Sequence, residues 1–541
     1  MDDTRRIFLD IDGLSRWDQA TLFQRFPMAE RVPITGLEPG PAGSWDARGA
    51  DYPCVLYEDG LFRMWYSCMP DAEDYGENAD HAFTCYAESD DGVTWRKPDL
   101  RITGQSRYPG NNLLALPGFC MGVVRALPGS EFRYLAASMQ IMPLEPGISD
   151  VPGNSYDGGG SGRSSGESLT GEAHGTAGVP VNSGVPREPP TGGGTFIFGS
   201  QDGLRWRQLA RVCRHGDCAS LFADAPSGRY LLYQKVGLMH GMHMRRSFIG
   251  LESRDGVSWD YTGIPYGAHT WRECFVADDY DDLIAAQRGF RISDYYGVTI
   301  HRVGPLYVAI ENIFTIGPPL VPYFGQNPSG LCHFRLGFSH NAFNWRRPAG
   351  RPPWLELGAP GEFDAGFMVP GLNLAEHGDE MLLYYAGTPY EHGWCINPDF
   401  TFNRTIPLSE QRDTLRIGLV KIKRDRFASL AATYKGRFDI EPDSHGSEPL
   451  FISPRRSQLF VNARCPNGAI RVAIAERGKT DNLHGFSFED CIPFTGDSVR
   501  APMRFRKAST AGIPPDKPVY LRFEVSRGEI FGYEWGSPGQ A

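Results

Sequence analysis

Short apolar runs separated by Gly-containing turns recur through most of the chain. Residues 52–57 and 61–66 form one such pair, joined by Asp59-Gly60. Aromatic-rich runs of this length, bounded by turn residues, are typical of buried strands. Strong amphipathic helices are hard to find, and Gly (64) and Pro (42) are plentiful. The pattern therefore predicts an all-β chain built from antiparallel hairpins.

An internal repeat punctuates these runs. The phrase Ser-x-Asp/Asn-Gly/Ala-x-x-Trp occurs four times, at residues 89–95, 200–206, 253–259 and 339–345. The Asp-Gly pair is a tight-turn signal because Gly accepts positive φ, and each phrase follows an apolar run. Each phrase therefore predicts the turn that leaves one strand, with the Trp packing at the start of the next.

The spacing of the phrases predicts four-stranded units. Successive serines are 111, 53 and 86 residues apart, and the first interval shrinks to 59 if the low-complexity tract 143–194 is an insertion. A fifth unit lacks the Trp phrase, but its head at 359–365 repeats the head at 41–47. Such units close most simply into a β-propeller. We predict five blades over about residues 45–430, with residues 5–11 supplying the closing strand.

The pattern changes after residue 435. Trp phrases are absent there, and short alternating strands appear, such as residues 469–474 and 519–525. Alternation of this kind is typical of half-buried antiparallel strands. We therefore predict two domains: a five-bladed β-propeller over 1–435, carrying the insertion 143–194, and a β-sandwich over 436–541. The insertion is predicted to be disordered, and an ordered lid over the propeller mouth is the alternative.

Charge and composition exclude several partners. The net charge is −10 and the pI is near 5.8, which argues against a nucleic-acid or anionic-membrane partner. No apolar run is long enough to span a bilayer. The first residues have no apolar signal-peptide core, so we expect a cytoplasmic location. The eleven cysteines are an odd number without CxxC spacing, which favours free structural thiols.

Polar residues at the heads of the blades are the candidates for chemistry. In a propeller these heads converge on one funnel, so carboxylates distant in sequence meet there. The candidates are Asp46 and Asp51 for blade one, Asn112 for blade two, Asp217 for blade three, Glu273 for blade four and Asp364 for blade five. An Asp before a strand is equally often a turn cap, and this reading stays open for each residue.

Three of these segments resemble the acidic signatures of the five-bladed-propeller glycoside hydrolases, families 32, 43 and 68 and their relatives. They are the Asp residues shortly before Tyr52-Pro53, the segment 216–224, and the dipeptide Glu273-Cys274. Residues 416–430 also resemble the closing strand of this group. The sequence departs from the family in lacking the Asn-Asp-Pro core of blade one and in having Gly-Asp-Cys at 216–218. Those departures leave the substrate open.

The resemblance implies roles for three carboxyl groups. Glycoside cleavage needs one protonated carboxyl group as acid and one ionised group as nucleophile or base. By resemblance, Asp46 or Asp51 is the nucleophile or base, Asp217 tunes the pKa and binds sugar, and Glu273 is the acid. Asp46 is favoured because its Trp/Phe-Asp-Ala context recurs at Asp364. The same recurrence also fits two equivalent structural caps.

Other residues near the heads are candidates for substrate binding. Trp45 and Trp271 can stack on sugar rings, with core packing as the alternative. Arg272 and Arg288 can bind hydroxyls or a carboxylate, with a surface ion pair as the alternative. Asp51, Asn112 and Asp364 join this group. The His240–His243 segment and the acidic run 278–282 read as loops and not as metal sites, so no metal or cofactor is predicted.

Together these patterns predict a glycoside hydrolase acting on a small glycan or glycoconjugate, such as a furanoside. The partner is a carbohydrate, with no nucleic acid and no membrane. A phosphorylase or transglycosylase on the same scaffold is a close variant. A non-catalytic carbohydrate-binding propeller is the alternative from another class. The sequence makes no prediction for the oligomeric state.

Overall fold

The computed structural model describes residues 5–12, 14–70, 83–103, 108–141, 193–213, 218–240, 243–260, 273–317, 330–392, 415–440, 458–476, 479–513 and 519–537. Within these ranges nearly all regular structure is β-strand, with a single α-helix, so the all-β prediction is confirmed. No helix in the described ranges is long and apolar enough to cross a membrane.

The first half of the described chain contains four short strands followed by two sheets. The short strands are β1 (Arg6–Ile7), β2 (Leu14–Trp17), β3 (Leu22–Arg25) and β4 (Glu30–Val32). Sheet one contains β5 (Ala50–Glu58), β6 (Leu61–Cys68), β7 (Phe83–Ser89), β8 (Trp95–Arg96) and β9 (Leu113–Pro117). Sheet two contains β10 (Phe119–Arg125), β11 (Tyr134–Ile141), β12 (Gly193–Ser200) and β13 (Arg207–Cys213).

Three further sheets follow in chain order. Sheet three contains β14 (Ala219–Asp224), β15 (Arg229–His240), β16 (His243–Ser253), β17 (Trp259–Asp260) and β18 (Glu273–Phe275). Helix α1 (Asp279–Gln287) leads to sheet four, with β19 (Ile292–Val303), β20 (Leu306–Ile316), β21 (Gly330–Ser339) and β22 (Pro353–Leu355). Sheet five contains β23 (Phe367–Pro370), β24 (Ala375–His377), β25 (Glu380–Thr388), β26 (Arg416–Lys423) and the N-terminal strand β4.

The five sheets form a closed ring of antiparallel blades. The first strands β5, β10, β14, β19 and β23 are in contact in succession, and β23 contacts β5. We call these the inner strands and their N-terminal ends the heads. The ring is closed by β4, which pairs with β26 through Val32 and Leu419. The prediction that residues 5–11 close the ring is wrong, because Arg6 and Ile7 pair with the C-terminal strand of the chain.

The remaining strands form a C-terminal sheet with its own core. It contains β27 (Ser429–Ile440), β28 (Gln458–Glu476), β30 (Phe494–Pro502) and β32 (Val519–Gly536), together with β1, β2 and β3. A two-stranded sheet pairs β29 (Cys491–Ile492) with β31 (Arg504–Phe505), and a short 3-10 helix spans Thr510–Gly512. Strand β27 crosses the predicted 435/436 boundary, and the first strands of the chain belong to this C-terminal sheet.

The four Trp phrases adopt one turn geometry. In the first, Ser89 Oγ accepts the Gly92 N–H at 2.9 Å, and Asp91 Oδ1 accepts the N–H groups of Val93 and Thr94. The same bonds recur in the other three turns. The residue after the Asp or Asn has positive φ each time, and in the fourth turn this residue is Ala342, at 70°.

The turns also join neighbouring blades. The carbonyl oxygen of Gly203 accepts the Trp65 indole N–H at 2.7 Å, and that of Ala342 accepts the Tyr233 hydroxyl at 2.8 Å. Gly92 accepts the hydroxyl of Tyr384, a residue of sheet five, at 2.6 Å. In each case the donor lies on the second strand of the preceding blade. The repeated turn therefore holds the ring together, including the junction between the fifth and first blades.

Candidate active site at the heads of the inner strands

Asp51 lies at the head of the first inner strand. It is the second residue of β5 and pairs with Ser67 of β6. The ladder is irregular between Asp51 and Cys54, which turns the head of the strand away from ideal pairing. Such irregularities re-aim side chains and are frequent next to active sites. The structure thus places this predicted residue at the convergence of the blades.

The electrostatics of Asp51 are unusual. Burial raises the pKa of its carboxyl group to about 7, against the weaker opposing effect of one hydrogen bond from the Tyr52 N–H at 2.7 Å. No cation pairs with this carboxylate among the described residues. Tyr52 itself has φ of 49°, a strained backbone conformation for a bulky side chain. Strain and an uncompensated buried acid together are typical of functional sites.

A chain of side-chain contacts runs across the heads of four blades. Tyr52 Oη lies 2.9 Å from Cys218 Sγ, and Lys235 Nζ lies 3.4 Å from the same sulfur. Lys235 Nζ also sits 4.0 Å from the ring centroid of Tyr296, whose hydroxyl is 3.1 Å from His392 Nε2. Blade two separates the blades of Tyr52 and Cys218 in the ring, so that contact spans the channel. We call these five residues the channel-head cluster.

Asp294 is a second buried carboxyl group at a head, and sequence reasoning missed it. It is the third residue of inner strand β19, and its Oδ2 accepts a hydrogen bond from Arg246 at 3.0 Å. Its Oδ1 has no hydrogen-bond partner among the residues that the structure describes. Burial raises the pKa of Asp294, and the Arg246 guanidinium opposes that shift. A signal was present, since Ala50-Asp51-Tyr52 is echoed by Ser293-Asp294-Tyr295.

Asp46 does not face the channel as an available carboxylate. Its Oδ2 accepts from Lys97 Nζ at 2.7 Å and its Oδ1 accepts from Ser44 Oγ at 2.9 Å, and the residue is buried. The preference for Asp46 over Asp51 is therefore corrected: Asp46 is tied into an ion pair beside blade one. The partner Lys97 is 51 residues further along the chain, so no local pattern pointed to it.

Asp364 is held in the same way. Its Oδ2 accepts from Arg31 Nε at 2.9 Å and from the Tyr385 hydroxyl at 2.7 Å, and the residue is buried. Arg31 belongs to the ring-closing strand β4. The shared context of Asp46 and Asp364 thus marks two equivalent structural ion pairs, which was the alternative reading of their recurrence.

Trp45 and Asn112 form a structural hydrogen-bond chain. The indole N–H of Trp45 donates to Asn112 Oδ1 at 2.8 Å, while Asn112 Nδ2 donates to the Tyr66 hydroxyl and to the Tyr86 carbonyl. Asn112 is completely buried. Its hydrogen-bonding groups are therefore used within the protein, and its predicted role in substrate binding is corrected.

Glu273 lies on the outside of blade three. It pairs with Ile249 of β16, which pairs with Gln234 of β15, which pairs with Ala219 of inner strand β14. Three strand spacings separate Glu273 from the inner strand, about 14 Å at the usual interstrand distance. The side chain is exposed. The expectation that Glu273 sits at the head of blade four is therefore wrong, because the first strand of that blade starts only after helix α1.

The acidic run 278–282 is a helix start and not a solvated loop. Asp278 is the N-cap of α1, its carboxylate accepts the Asp281 N–H at 3.0 Å, and Asp281 accepts in return from the Asp278 N–H. Asp281 is buried against Arg335, 2.6 Å away. This reciprocal capping, with acidic residues in the first turn, suits a helix N-terminus.

Arg288 ends the same helix at the surface. It donates to Glu356 at 2.8 Å, and both side chains are more than one-third exposed. The surface ion pair, which was the alternative to the predicted substrate binding by Arg288, is thus present. Asp217, Trp271 and Arg272 lie outside the described residues. Within the described ranges, no group of three or more His, Cys, Asp or Glu side chains is arranged to hold a metal ion.

Comparison with known proteins gives structural neighbours only. No protein-family model matches the chain, and no curated protein matches it. An N-acetylgalactosamine deacetylase from F. plautii in complex with blood group B trisaccharide shares 14% identity at a TM-score of 0.43, covering 73% of this chain and 96% of that one. A structure from the GH130 family of mannoside phosphorylases shares 13% sequence identity at a TM-score of 0.40, covering 75% of this chain and 96% of that one.

A thermostable family-43 glycoside hydrolase is a third neighbour, with 11% identity at a TM-score of 0.39, covering 70% of this chain and 91% of that one. At these identities and TM-scores we take no functional conclusion from the similarity.

Proposed function

We propose that this chain is a carbohydrate-active enzyme that cleaves a glycosidic bond at the heads of the inner strands, with Asp51 as its acid. One observation carries the proposal. Asp51 is a buried carboxyl group at the head of β5, without a cationic partner among the described residues, and its pKa is raised to about 7. A small glycan or glycoconjugate is the substrate class that the sequence resemblance implies.

The chemistry follows from that pKa. A leaving sugar oxygen must receive a proton as the C–O bond breaks, and a carboxyl group with a pKa near the working pH holds one and gives it up readily. Asp51 is about half protonated at neutral pH. Asp364, by contrast, is already engaged by the Arg31 guanidinium and the Tyr385 hydroxyl. Asp51 is therefore better suited to proton donation.

Asp294 is the proposed second carboxyl group. Glycoside cleavage also needs an ionised carboxylate that attacks the sugar or activates water. Arg246 contacts one oxygen of Asp294 and leaves the other without a hydrogen bond. The guanidinium favours the ionised form against the burial that raises the pKa of Asp294, and Oδ1 is the oxygen that a substrate atom must reach at this buried position. Asp294 replaces Glu273 as the partner of Asp51 in this proposal.

The channel-head cluster supplies surfaces for a sugar. Tyr296 and Phe367 are in edge-to-face contact, with centroids 4.9 Å apart, and His392 lies 5.0 Å from each. Aromatic rings stack on the apolar C–H faces of sugars, and the hydroxyl and imidazole groups bond to sugar hydroxyls. A non-catalytic carbohydrate-binding propeller is the second candidate. The position of Glu273 outside the channel favours this candidate over an enzyme that uses Glu273 as its acid.

The test is turnover of a panel of oligosaccharides and activated aryl glycosides by the full-length protein. We expect Asp51→Asn to lower kcat on natural oligosaccharides by roughly 10²–10⁴-fold, the usual contribution of a general acid. Aryl glycosides, whose leaving groups depart without a proton, should lose much less. Glu273→Gln is the matched control and should retain wild-type rates.

The pH profile sharpens this test. An acid with a pKa of about 7 must be protonated to act, so kcat/KM should fall as the pH rises through 7. Wild-type turnover by the Asp51→Asn variant would contradict the proposal. Loss of activity in Glu273→Gln alone would return the acid role to Glu273. Sugar binding without turnover by the wild-type protein would establish the non-catalytic alternative.

A further inference from the structure

The C-terminal sheet has one face against its core and one face towards solvent. Phe438, Val472 and Phe523 lie on the core side and are buried. Their chain neighbours Arg437, Arg471 and Glu524 therefore lie on the opposite side, because successive side chains of a strand alternate between faces. Glu524 pairs in register with Arg437 on β27 and with Arg471 on β28, so the three form one row across the middle of the sheet.

Positive charge accumulates on this outer face. Glu524 is contacted by Lys435 at 3.3 Å, Arg437 at 2.6 Å and Arg471 at 3.4 Å. Glu529 is contacted by Arg25 at 3.3 Å and Arg464 at 2.6 Å. The five cations thus share two carboxylates, which leaves a surplus of three positive charges. We call Arg25, Lys435, Arg437, Arg464 and Arg471 the basic face.

The cations point outward while the glutamates lie beneath them. The side chains of the basic face are 42–58% exposed, whereas those of Glu524 and Glu529 are 3–4% exposed. Lys435 and Arg437 also help to lower the pKa of Glu524, which keeps it ionised. The buried carboxylates therefore anchor the cations in fixed positions, and the surplus charge is presented to solvent. This face contrasts with the net charge of −10 of the whole chain.

We infer that the basic face binds the carboxylates of an acidic polysaccharide. The Glu524 and Glu529 groups lie five residues apart along β32, roughly 15 Å, so their cations meet several sugar units of an extended chain. Exposed ion pairs are weak singly, and a repeating polyanion makes several at once. The choice of a glycan over another polyanion rests on the proposed function of the channel.

Binding of polygalacturonate by the full-length protein tests the inference, with fully methyl-esterified polygalacturonate as the uncharged comparison. We expect at least tenfold tighter binding of the acidic polymer, weakening as salt rises because exposed charges are screened. Lys435→Gln and Arg437→Gln should each weaken binding several-fold.

Matched controls separate this surface from general charge effects. Arg125→Gln and Arg207→Gln remove arginines that are 63% and 62% exposed on the propeller, and they should leave binding unchanged. Asp51→Asn should also bind normally, so a failure of the proposed catalysis would not be mistaken for a failure here.

Three results would overturn the inference. Equal binding of the esterified polymer would show that carboxylates are not recognised. Unchanged binding by both charge variants would place the interaction elsewhere. Equally tight binding of a single-stranded oligonucleotide, lost in the same variants, would identify the partner as a nucleic acid.

Discussion

The two ends of the propeller blades follow different rules. At the end where the third strand turns into the fourth, four blades repeat one turn, with the same Ser and Asp or Asn hydrogen bonds each time. At the opposite end, carboxyl groups near the heads have different surroundings. Asp364 faces an arginine and a tyrosine, Asp294 faces an arginine, and Asp51 faces no cation among the described residues.

The difference teaches where to look for function. A feature repeated in every blade serves what every blade needs, which is docking to its neighbour. A carboxyl group that is buried without a cationic partner, as Asp51 is, loses its hydration and has a raised pKa. Such perturbed groups are concentrated at functional sites. Changes at the turn end should therefore reduce stability, and changes at Asp51 should reduce activity without lowering stability.

The largest stability loss is expected at a Trp of the turn end. Trp345 is buried, with its ring 4.8 Å from Phe275 and 6.1 Å from Tyr233. Trp345→Ala should cost about 3–5 kcal/mol in the free energy of unfolding, as large-to-small core changes do. Trp206→Ala is the matched control, and it should lower the free energy of unfolding by less because Trp206 is only partly buried. Equal losses in urea denaturation would show that packing depth does not decide the effect.

A structural ion pair near the heads comes next. Asp364→Asn removes the charge that faces Arg31, whose side chain is one-third exposed. Breaking a buried pair costs about 3–5 kcal/mol, and partial exposure lowers the expected loss to about 2–3 kcal/mol. Asp90→Asn, in the exposed pair with Arg96, should cost much less, because solvent screens that pair. A stable Asp364→Asn protein that loses activity would instead make Asp364 part of the site.

Substitutions at the positive-φ position of the turns should change stability less, and the loss should be larger for Gly92→Ala than for Ala342→Gly. A Cβ atom at Gly92 would meet the Tyr384 hydroxyl at 2.9 Å and the Phe62 ring at 3.1 Å. Gly92→Ala should therefore cost about 2 kcal/mol, from left-handed backbone strain and this contact. Ala342→Gly relieves strain at φ of 70° but loses a buried methyl group, so its net change should stay below about 1 kcal/mol. Equal and large losses would mean that the turns are not equivalent.

The smallest effect should come from the acid titration of one turn. The N–H groups of Thr94 and Val93 lower the pKa of Asp91 to about 2. Stability from a depressed carboxyl pKa is present above its ordinary value and is lost as the pH falls towards the folded value. Asp91→Ala should therefore flatten the stability curve between about pH 4 and pH 2. An unchanged slope in acid denaturation would show that these hydrogen bonds do not favour the carboxylate.

The turn end could be predicted from sequence because its interactions are local. The Ser, the Asp or Asn, and the Gly or Ala lie within four residues of each other in every copy, so the phrase alone carries the geometry. The strand pattern gave five units for the same reason. The ring-closing strand was missed because Val32 pairs with Leu419, far along the chain, and no local pattern distinguishes it from the strand at Arg6.

The heads were harder to predict because their partners are distant. Asp46 and Asp364 look alike in sequence, but only the fold shows Lys97 and Arg31 beside them. Glu273 was misplaced because the position of helix α1 could not be read from an acidic run. Asp46 has a cationic partner, Lys97, whereas Asp51 has none among the described residues. Asp217 stays a prediction, and so does the cytoplasmic location.

The pH dependence of stability in Asp51→Asn, compared with that of the wild-type protein, is the most direct test of whether the pKa of Asp51 is raised by burial. A folded pKa of about 7 against an ordinary value of 3.8 means that stability from the protonated form is complete below pH 4 and is lost as the pH rises through 7. About three pKa units correspond to about 4 kcal/mol.

We expect the free energy of unfolding of Asp51→Asn, relative to that of the wild-type protein, to rise by up to this amount between pH 4 and pH 8 and to stay constant above. A difference between the two proteins that does not change over this range would contradict it, because Asp51 would then be an ordinary ionised carboxylate.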